Sequence, residues 1–257
     1  MNSSFGQHGE VHGSYVGHNT FVLGVHEQGW GHQMAIMSGD NSVKERWSLL
    51  RIEDHDHIAS DSKHWNFNTH YYPFIEQSLQ GRAASVLDVG SGEGMLTRLL
   101  HRSIPHVVGI DCDEASVDMA AAKSDDIDYI CGDVLSHPFE PESFDAVVSV
   151  ATLHHMDPRR GLRRMGELIR PGGTLVVVGC AGSEGLRDRA LDYVSIVAAG
   201  AAVARRNVWK QPSPIVWPPP VSYREMRTHA SELLPGSRFR RELLYRYSIT
   251  WTKPLSR

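Results

Sequence analysis

The residues best placed to do chemistry lie in one short run, VLDVGSGEG at 86–94, and in an acid that follows it. Gly90, Gly92 and Gly94 punctuate a turn between an apolar, strand-like run and a helical pattern. Glycine there permits positive φ and lets a ligand come close to the backbone. Twenty-one residues after Gly90 stands Asp111, at the end of the next apolar run, VVGIDCDEA. A carboxylate at that spacing can hold both hydroxyls of a ribose. The turn departs from the dinucleotide pattern G-x-G-x-x-G, because Met95 holds the last glycine position. Glu93 puts a carboxylate where a pyrophosphate would rest, and Asp88 adds negative charge just ahead of the turn. Such a pocket suits a nucleoside that carries an ammonium or sulfonium and no phosphate, which is the charge pattern of S-adenosylmethionine.

A second constellation is the pair His154 and His155, which follows the apolar run DAVVSV at 145–150. Histidine titrates near physiological pH and suits a general base; the alternative is a structural turn in which one ring caps a backbone group. His70 is a further candidate, within the aromatic segment HWNFNTHYYPFIEQSL at 64–79, which reads as a helix closed by Gly81. Cys112, Cys131 and Cys180 have no C-x-x-C spacing, so they read as buried small residues in a reducing, cytoplasmic compartment. His8, His12, His18, His26 and His32 do not keep one helix face, and no metal site is expected.

The elements that must position these groups are legible as a rhythm. VLDV (86–89), HVVGI (106–110), IDYI (127–130), DAVVSV (145–150) and TLVVVG (174–179) alternate with helical patterns at 95–102, 114–123 and 159–169. Apolar strands alternating with helices predict a parallel sheet covered on both faces, with ligands at one strand edge. After residue 180 come a helix near 186–205, the Pro-rich KQPSPIVWPPP at 210–220, and a helix near 223–234. Two strand-like runs, 238–244 and 245–252, are close enough to form an antiparallel edge. The expected domains are a flexible Gly/His-rich extension (1–40), N-terminal lid helices (41–82), a ligand-binding core (83–182), a substrate-lid insertion (183–235) and C-terminal strands (236–257).

With 257 residues, 22% of them charged, and a net charge of −4, the chain has the composition of a soluble globular protein. The charge is uneven: residues 1–43 carry −3, residues 44–204 carry −9 and residues 205–257 carry +8. The basic tail could hold an acidic substrate, touch nucleic acid or membrane, or be a solvated helix face. Arg205, Arg206 and Lys210 beside Trp209 would suit an anionic partner, but no RNA-binding module accompanies them. No apolar run is long enough to span a bilayer.

Five motifs in order, VLDVGSGEG, the acid of VVGIDCDE, CGDV (131–134), FDAVVSVATLHHM (144–156) and LIRPGGTLVVVG (168–179), resemble those of class I S-adenosylmethionine-dependent methyltransferases. The likeness covers about 64–180 and is closest to the small-molecule branch called type 11. The flanks are similar to a largely actinobacterial subgroup, through Asn68, His70 and Tyr71, a P-S-P-x-x-W-P-P-P segment at 212–220, and an R-Y-S-x-T-W-T-K-P ending at 246–254. The resemblance implies an α/β, Rossmann-like three-layer sandwich, with a seven-stranded, mostly parallel sheet and an antiparallel C-terminal edge strand. It implies that Asp88, Gly90, Ser91 and Gly92 line the methionine part of S-adenosylmethionine, and that Asp111 holds the ribose. Asp133 and Val134 would meet the adenine edge, with Cys112 packed on it. Ser149, Val150 and Ala151 would lie beneath the sulfonium. Tyr71 would cover the pocket, and His70, Trp209 and Trp217 would belong to the substrate lid.

Transfer of an activated methyl needs alignment more than acid–base chemistry, and alignment alone can supply roughly 7–11 kcal/mol. No D/N-P-P-Y/F follows the fourth strand run, and no P-C pair supplies a covalent thiol, which excludes amino-methylation of DNA and methylation of pyrimidine carbons. The expected activity is methylation of an O, N or C atom of a small organic acceptor. Three alternatives stay open: a nicotinamide oxidoreductase, a non-catalytic S-adenosylmethionine-binding regulator, and an RNA methyltransferase using the basic tail. The sequence sets neither the acceptor nor the oligomeric state.

Overall fold

The five apolar runs become β1 (Ser85–Val89), β2 (His106–Asp111), β3 (Asp128–Cys131), β4 (Phe144–Val150) and β5 (Ile169–Gly179), which lie parallel in a computed structural model. The structure describes residues 64–206, 208–209 and 218–255. The expected extension at 1–40, the helical pattern that begins at Lys44, and residues 210–217 with Trp217 lie outside the described residues. Two further strands, β6 (Arg238–Arg241) and β7 (Tyr247–Thr252), complete a sheet of order β3-β2-β1-β4-β5-β7-β6. β7 runs antiparallel to both β5 and β6, so the antiparallel pair forms one border of the sheet, with β6 outermost.

Helices cover both faces. Alternate residues of one strand enter opposite cores, as the period of two requires. Val86, Ala146, Val148, Val176 and Val178 pack with Ile75 and Leu79 of α1 (Tyr72–Leu79) and with Leu96 and Leu100 of α2 (Met95–His101). Leu87, Val89, Val147, Leu175 and Val177 pack on the other side with Leu162 and Met165 of α4 (Pro158–Leu168) and Met226 and Ala230 of α6 (Tyr223–Leu233). Between them in sequence lie α3 (Glu114–Ala121) and the 20-residue α5 (Leu186–Arg205).

Local chemistry sets the ends. Asp113 and Asp157 cap α3 and α4 by accepting from the Ser116 and Arg160 N–H groups at 3.1 and 2.8 Å. The segment expected as a helix from residue 64 is helical only from Tyr72, with a 3-10 turn at Thr69–Tyr71 before it. Two causes combine: the Asn66 side chain accepts from the Asn68 and Thr69 N–H groups, and Pro73 fixes φ in the first helical turn. The run expected as a strand to residue 244 ends at Arg241, because Leu244 and Tyr245 take φ of +55° and +60°.

α6 begins with a capping box. Ser222 accepts from the Glu225 N–H at 3.2 Å, while Glu225 accepts from the Ser222 N–H at 2.8 Å. The same stretch is tied to the end of β5, since the Gly182 N–H donates to Val221 O and the Tyr223 N–H to Gly182 O. Ser222→Ala is expected to lower stability by about 1 kcal/mol, read as a fall in the midpoint of thermal or urea unfolding. An unchanged midpoint would remove the cap from the account of α6.

Candidate functional site

The strand order reverses beside β1: the chain runs outward through β2 and β3, then returns to add β4 on the other side. A crevice at the carboxyl ends of β1 and β4 is the consequence, and such crevices hold ligands in open α/β sheets. A small, open cleft lies there, lined by Asn68, Tyr72, Asp88, Gly90, Ser91, Leu96 and Val150.

The chain leaves β1 through Gly90, Gly92 and Gly94, with φ of +76°, +52° and +75°. At Gly90 a side chain would collide with Thr152, which follows β4. At Gly94 it would collide with the Tyr129 ring from β3. The Gly90 N–H donates to Ile110 O at 2.8 Å, and the Gly92 N–H donates to the Asp111 carboxylate at 2.8 Å. The other Asp111 oxygen accepts from the Asp113 N–H at 3.0 Å. Turn and acid are therefore one hydrogen-bonded unit, with lone pairs left on Asp111 for a further donor.

Asp88 is 2% exposed, and its Oδ2 accepts from the Thr97 hydroxyl at 2.8 Å. Burial pushes its carboxyl up to about 7, against the Thr97 hydrogen bond, and the neighbouring Asp111 charge adds to the rise. The Ser91 hydroxyl beside it is buried and has no hydrogen-bond partner. A buried acid in the wall of the cleft suits a polar, cationic ligand.

Four of the expected residues, Asp88, Gly90, Ser91 and Val150, line the cleft, and Gly92 joins them through Asp111. Ser149 lies beside them, 1% exposed, its hydroxyl donating to Val89 O at 3.0 Å. Ala151 takes φ of +54°, a left-handed geometry uncommon outside glycine, at the end of β4. On the β2–β3 side, Asp133 is exposed and accepts from the Leu135 N–H at 2.9 Å. Val134 has its side chain in the core, leaving only its backbone to face that edge.

Other expectations need correction. Cys112 and Cys131 are exposed, because they end β2 and β3 at the open edge; Cys180 alone of the three is buried. Glu93 is spent in an ion pair with Lys123 and does not line the cleft. Tyr71 sends its hydroxyl to Leu243 O at 2.6 Å, while Tyr72, one residue on, lines the cleft. His70 is exposed, its ring edge against Trp65 and Tyr71. His154 and His155 form a tilted ring pair 4.1 Å apart, outside the cleft lining. His154 Nδ1 lies 3.4 Å from the Cys180 sulfur, and burial, then the charges of His155 and Arg246, push it down to about 4.

The two flanking motifs meet in space. Asn68 Oδ1 accepts from Arg246 Nη2 at 2.7 Å, across 178 residues of sequence. The Trp209 N–H donates to Trp65 O at 2.8 Å, and the Trp209 ring stands edge-on to His64. Residues 64–71 thus join 208–209 and 243–246 beside the cleft. Sequence reasoning missed Tyr72, Leu96 and Arg246; the signal for Arg246 was its place in the flanking motif.

The chain matches the family model described as a methyltransferase domain over residues 87–177. It is 38% identical over 194 residues to an uncharacterized methyltransferase of Mycobacterium tuberculosis, covering 74% of this chain and 98% of that one. It is 33% identical over 107 residues to a ubiquinone biosynthesis O-methyltransferase of Coxiella burnetii, 40% of this chain and 46% of that one. A solved protein of Pyrococcus horikoshii superposes with a TM-score of 0.54 at 16% identity, over 75% of this chain and 93% of its own, a likeness of fold.

Asp88 makes a prediction about stability. Its folded-state carboxyl titrates above the usual value, so between about pH 4 and 7 the native state holds a proton that the unfolded state has lost. Its contribution therefore weakens the protein as pH rises through that window. Asp88→Asn should flatten this slope in urea unfolding series, and an unaltered slope would contradict the buried titration.

Proposed function

Since the chain belongs to the S-adenosylmethionine-dependent methyltransferases, we propose that it moves the donor's methyl group to an O, N or C atom of a small organic acceptor by in-line displacement. The observation that carries this reading is the cleft at the strand-order reversal, where the glycine turn, buried Asp88 and Asp111 converge. S-adenosylmethionine, when bound, supplies a methyl carbon already activated by its sulfonium.

The chain's own residues would bind and align. Asp88 and Ser91, both in the cleft wall, would line the ammonium and sulfonium end. Asp111, already fixed by two backbone N–H groups, would accept from the ribose hydroxyls, and Asp133 would accept from the adenine amine with Cys112 alongside. Val150 and Ala151 would form the floor, with Tyr72 and Asn68 as cover that excludes water. We take residues 83–182 as the donor-binding core; α1 and α6, expected within the lid, pack on the sheet instead, which leaves 64–71 and 208–209 as the described cover. His154, with its proton affinity pushed down to about 4, is a weak acceptor for a proton at neutral pH. Positioning is therefore the main source of rate in this reading, and His155, exposed beside it, is the remaining base candidate. The three free cysteines fit a reducing, cytoplasmic setting. No described helix is long and apolar enough to cross a membrane.

The reading is tested by transfer of labelled methyl from S-adenosylmethionine into fractionated cell extract, where release of S-adenosylhomocysteine without a labelled product would count against it. Asp111→Ala should weaken S-adenosylhomocysteine binding by roughly tenfold or more, the scale of lost charged hydrogen bonds; unchanged affinity would overturn the ribose assignment. Preference for the cationic donor over the neutral product should also rise between about pH 6 and 8 as Asp88 ionises. Titration calorimetry on wild type and Asp88→Asn checks this, and the variant should show no such rise.

A further inference from the structure

Among the described cations of the basic tail, Arg241, Arg246 and Lys253 are the half-buried ones, and Arg246 differs from the other two in what holds it. Arg241 is 2.5 Å from Asp192 and lies over the Tyr223 ring, and Lys253 pairs with Glu142 at 3.1 Å. Arg246 forms no ion pair with a carboxylate of the described residues. Glu242, its nearest acid in sequence, accepts from the Ser248 hydroxyl at 2.7 Å instead.

The guanidinium is held by neutral oxygens on one side. Nε and Nη2 donate to Asn68 Oδ1 at 3.3 and 2.7 Å, and Nη1 donates to Leu244 O at 3.3 Å. Of five N–H groups this uses three, leaving one on each terminal nitrogen. Those two form the end-on fork that fits a carboxylate. The backbone that presents the residue is strained, with Leu244 and Tyr245 both at positive φ, and two tyrosine hydroxyls pin it: Tyr71 donates to Leu243 O and Tyr223 to Tyr245 O. Strain held in place by its surroundings is a mark of functional backbone.

Its location completes the case. Asn68, which carries the guanidinium, also lines the cleft. On the other side the Arg246 charge reaches His154 and Cys180, at the carboxyl ends of β4 and β5. Arg246 therefore lies on the side of the cleft opposite Asp111 and β2, beyond the donor pocket. Resting on the methyl-transfer reading above, we infer that the acceptor carries a carboxylate and that Arg246 binds it end-on through its two remaining N–H groups. A single half-buried cation suits a single negative charge better than a phosphate dianion.

The test uses the full chain saturated with S-adenosylhomocysteine, titrated with small aliphatic and aromatic carboxylic acids, their primary amides and matched phosphate monoesters. Calorimetry and thermal shift are the readouts. At least one acid should bind about tenfold or more tightly than its amide. Arg246→Gln should abolish that preference while S-adenosylhomocysteine affinity falls by a much smaller factor, since Arg246 reaches the donor cleft only through Asn68. Arg246→Lys should recover part of the preference, through charge without the fork. Asn68→Asp gives a second route that keeps the fold: a carboxylate set on the guanidinium should compete with the acceptor and weaken acid binding. Equal binding of acids and amides, preference for phosphates, silence of all the acids, or acid binding indifferent to Arg246→Gln would each overturn the inference. Wild type that binds no S-adenosylhomocysteine would instead overturn the methyl-transfer reading, and this one with it.

Discussion

The hydrogen bond from the Gly92 N–H to the Asp111 carboxylate joins two places that the sequence keeps 19 residues apart. One is the turn by which β1 leaves the sheet, and the other is the acid that ends β2. Because the strands pair in register, with Val89 opposite Ile110, the turn and the acid arrive at the same height. Thr152 and Tyr129 then close on the turn from β4 and β3, so no side chain fits at Gly90 or Gly94. Four adjacent strands thus converge on one glycine loop. A ligand there meets a preorganised backbone and two acids of different kinds: Asp111, solvated and hydrogen-bonded, and Asp88, buried and reluctant to ionise.

Much of this is legible in the sequence, for a physical reason. Strands buried on both faces appear as unbroken apolar runs, and a glycine loop between strand and helix leaves few alternative conformations. Asp88, Gly90, Ser91, Gly92 and Asp111 follow directly from that local grammar. The cover over the cleft does not. Whether Tyr71 or Tyr72 faces inward depends on the turn locked by Asn66 and on where Pro73 starts the helix, a rotation of one residue that composition does not encode. The cysteines show the same limit: Cys112 and Cys131 sit where strand cover gives out, and only tertiary position distinguishes an exposed strand end from a buried one.

Charge is the other quantity that changes meaning between sequence and structure. Residues 205–257 carry +8, yet Arg241 and Lys253 are spent on Asp192 and Glu142 of the acidic middle. Glu93 in turn is spent on Lys123. A regional sum counts paired and unpaired groups alike, whereas recognition depends on the remainder after pairing. Asp88, Asp111 and Arg246 stand in that remainder at or beside the cleft, the arginine opposite in sign to the two acids.

The contact between Asn68 and Arg246 closes a loop of 178 residues, and Tyr71 with Leu243 closes one of 172. Contacts so distant in sequence carry a large closure entropy and form late in folding. A chain emerging from the ribosome completes the glycine loop and β1 to β5 before residue 180 is made. Strand β7 and the cover over the cleft must wait for residues 243–252. Competence to hold a donor thus precedes, during synthesis, competence to admit and orient an acceptor, and an unfinished chain would be a nucleoside binder before it is an enzyme.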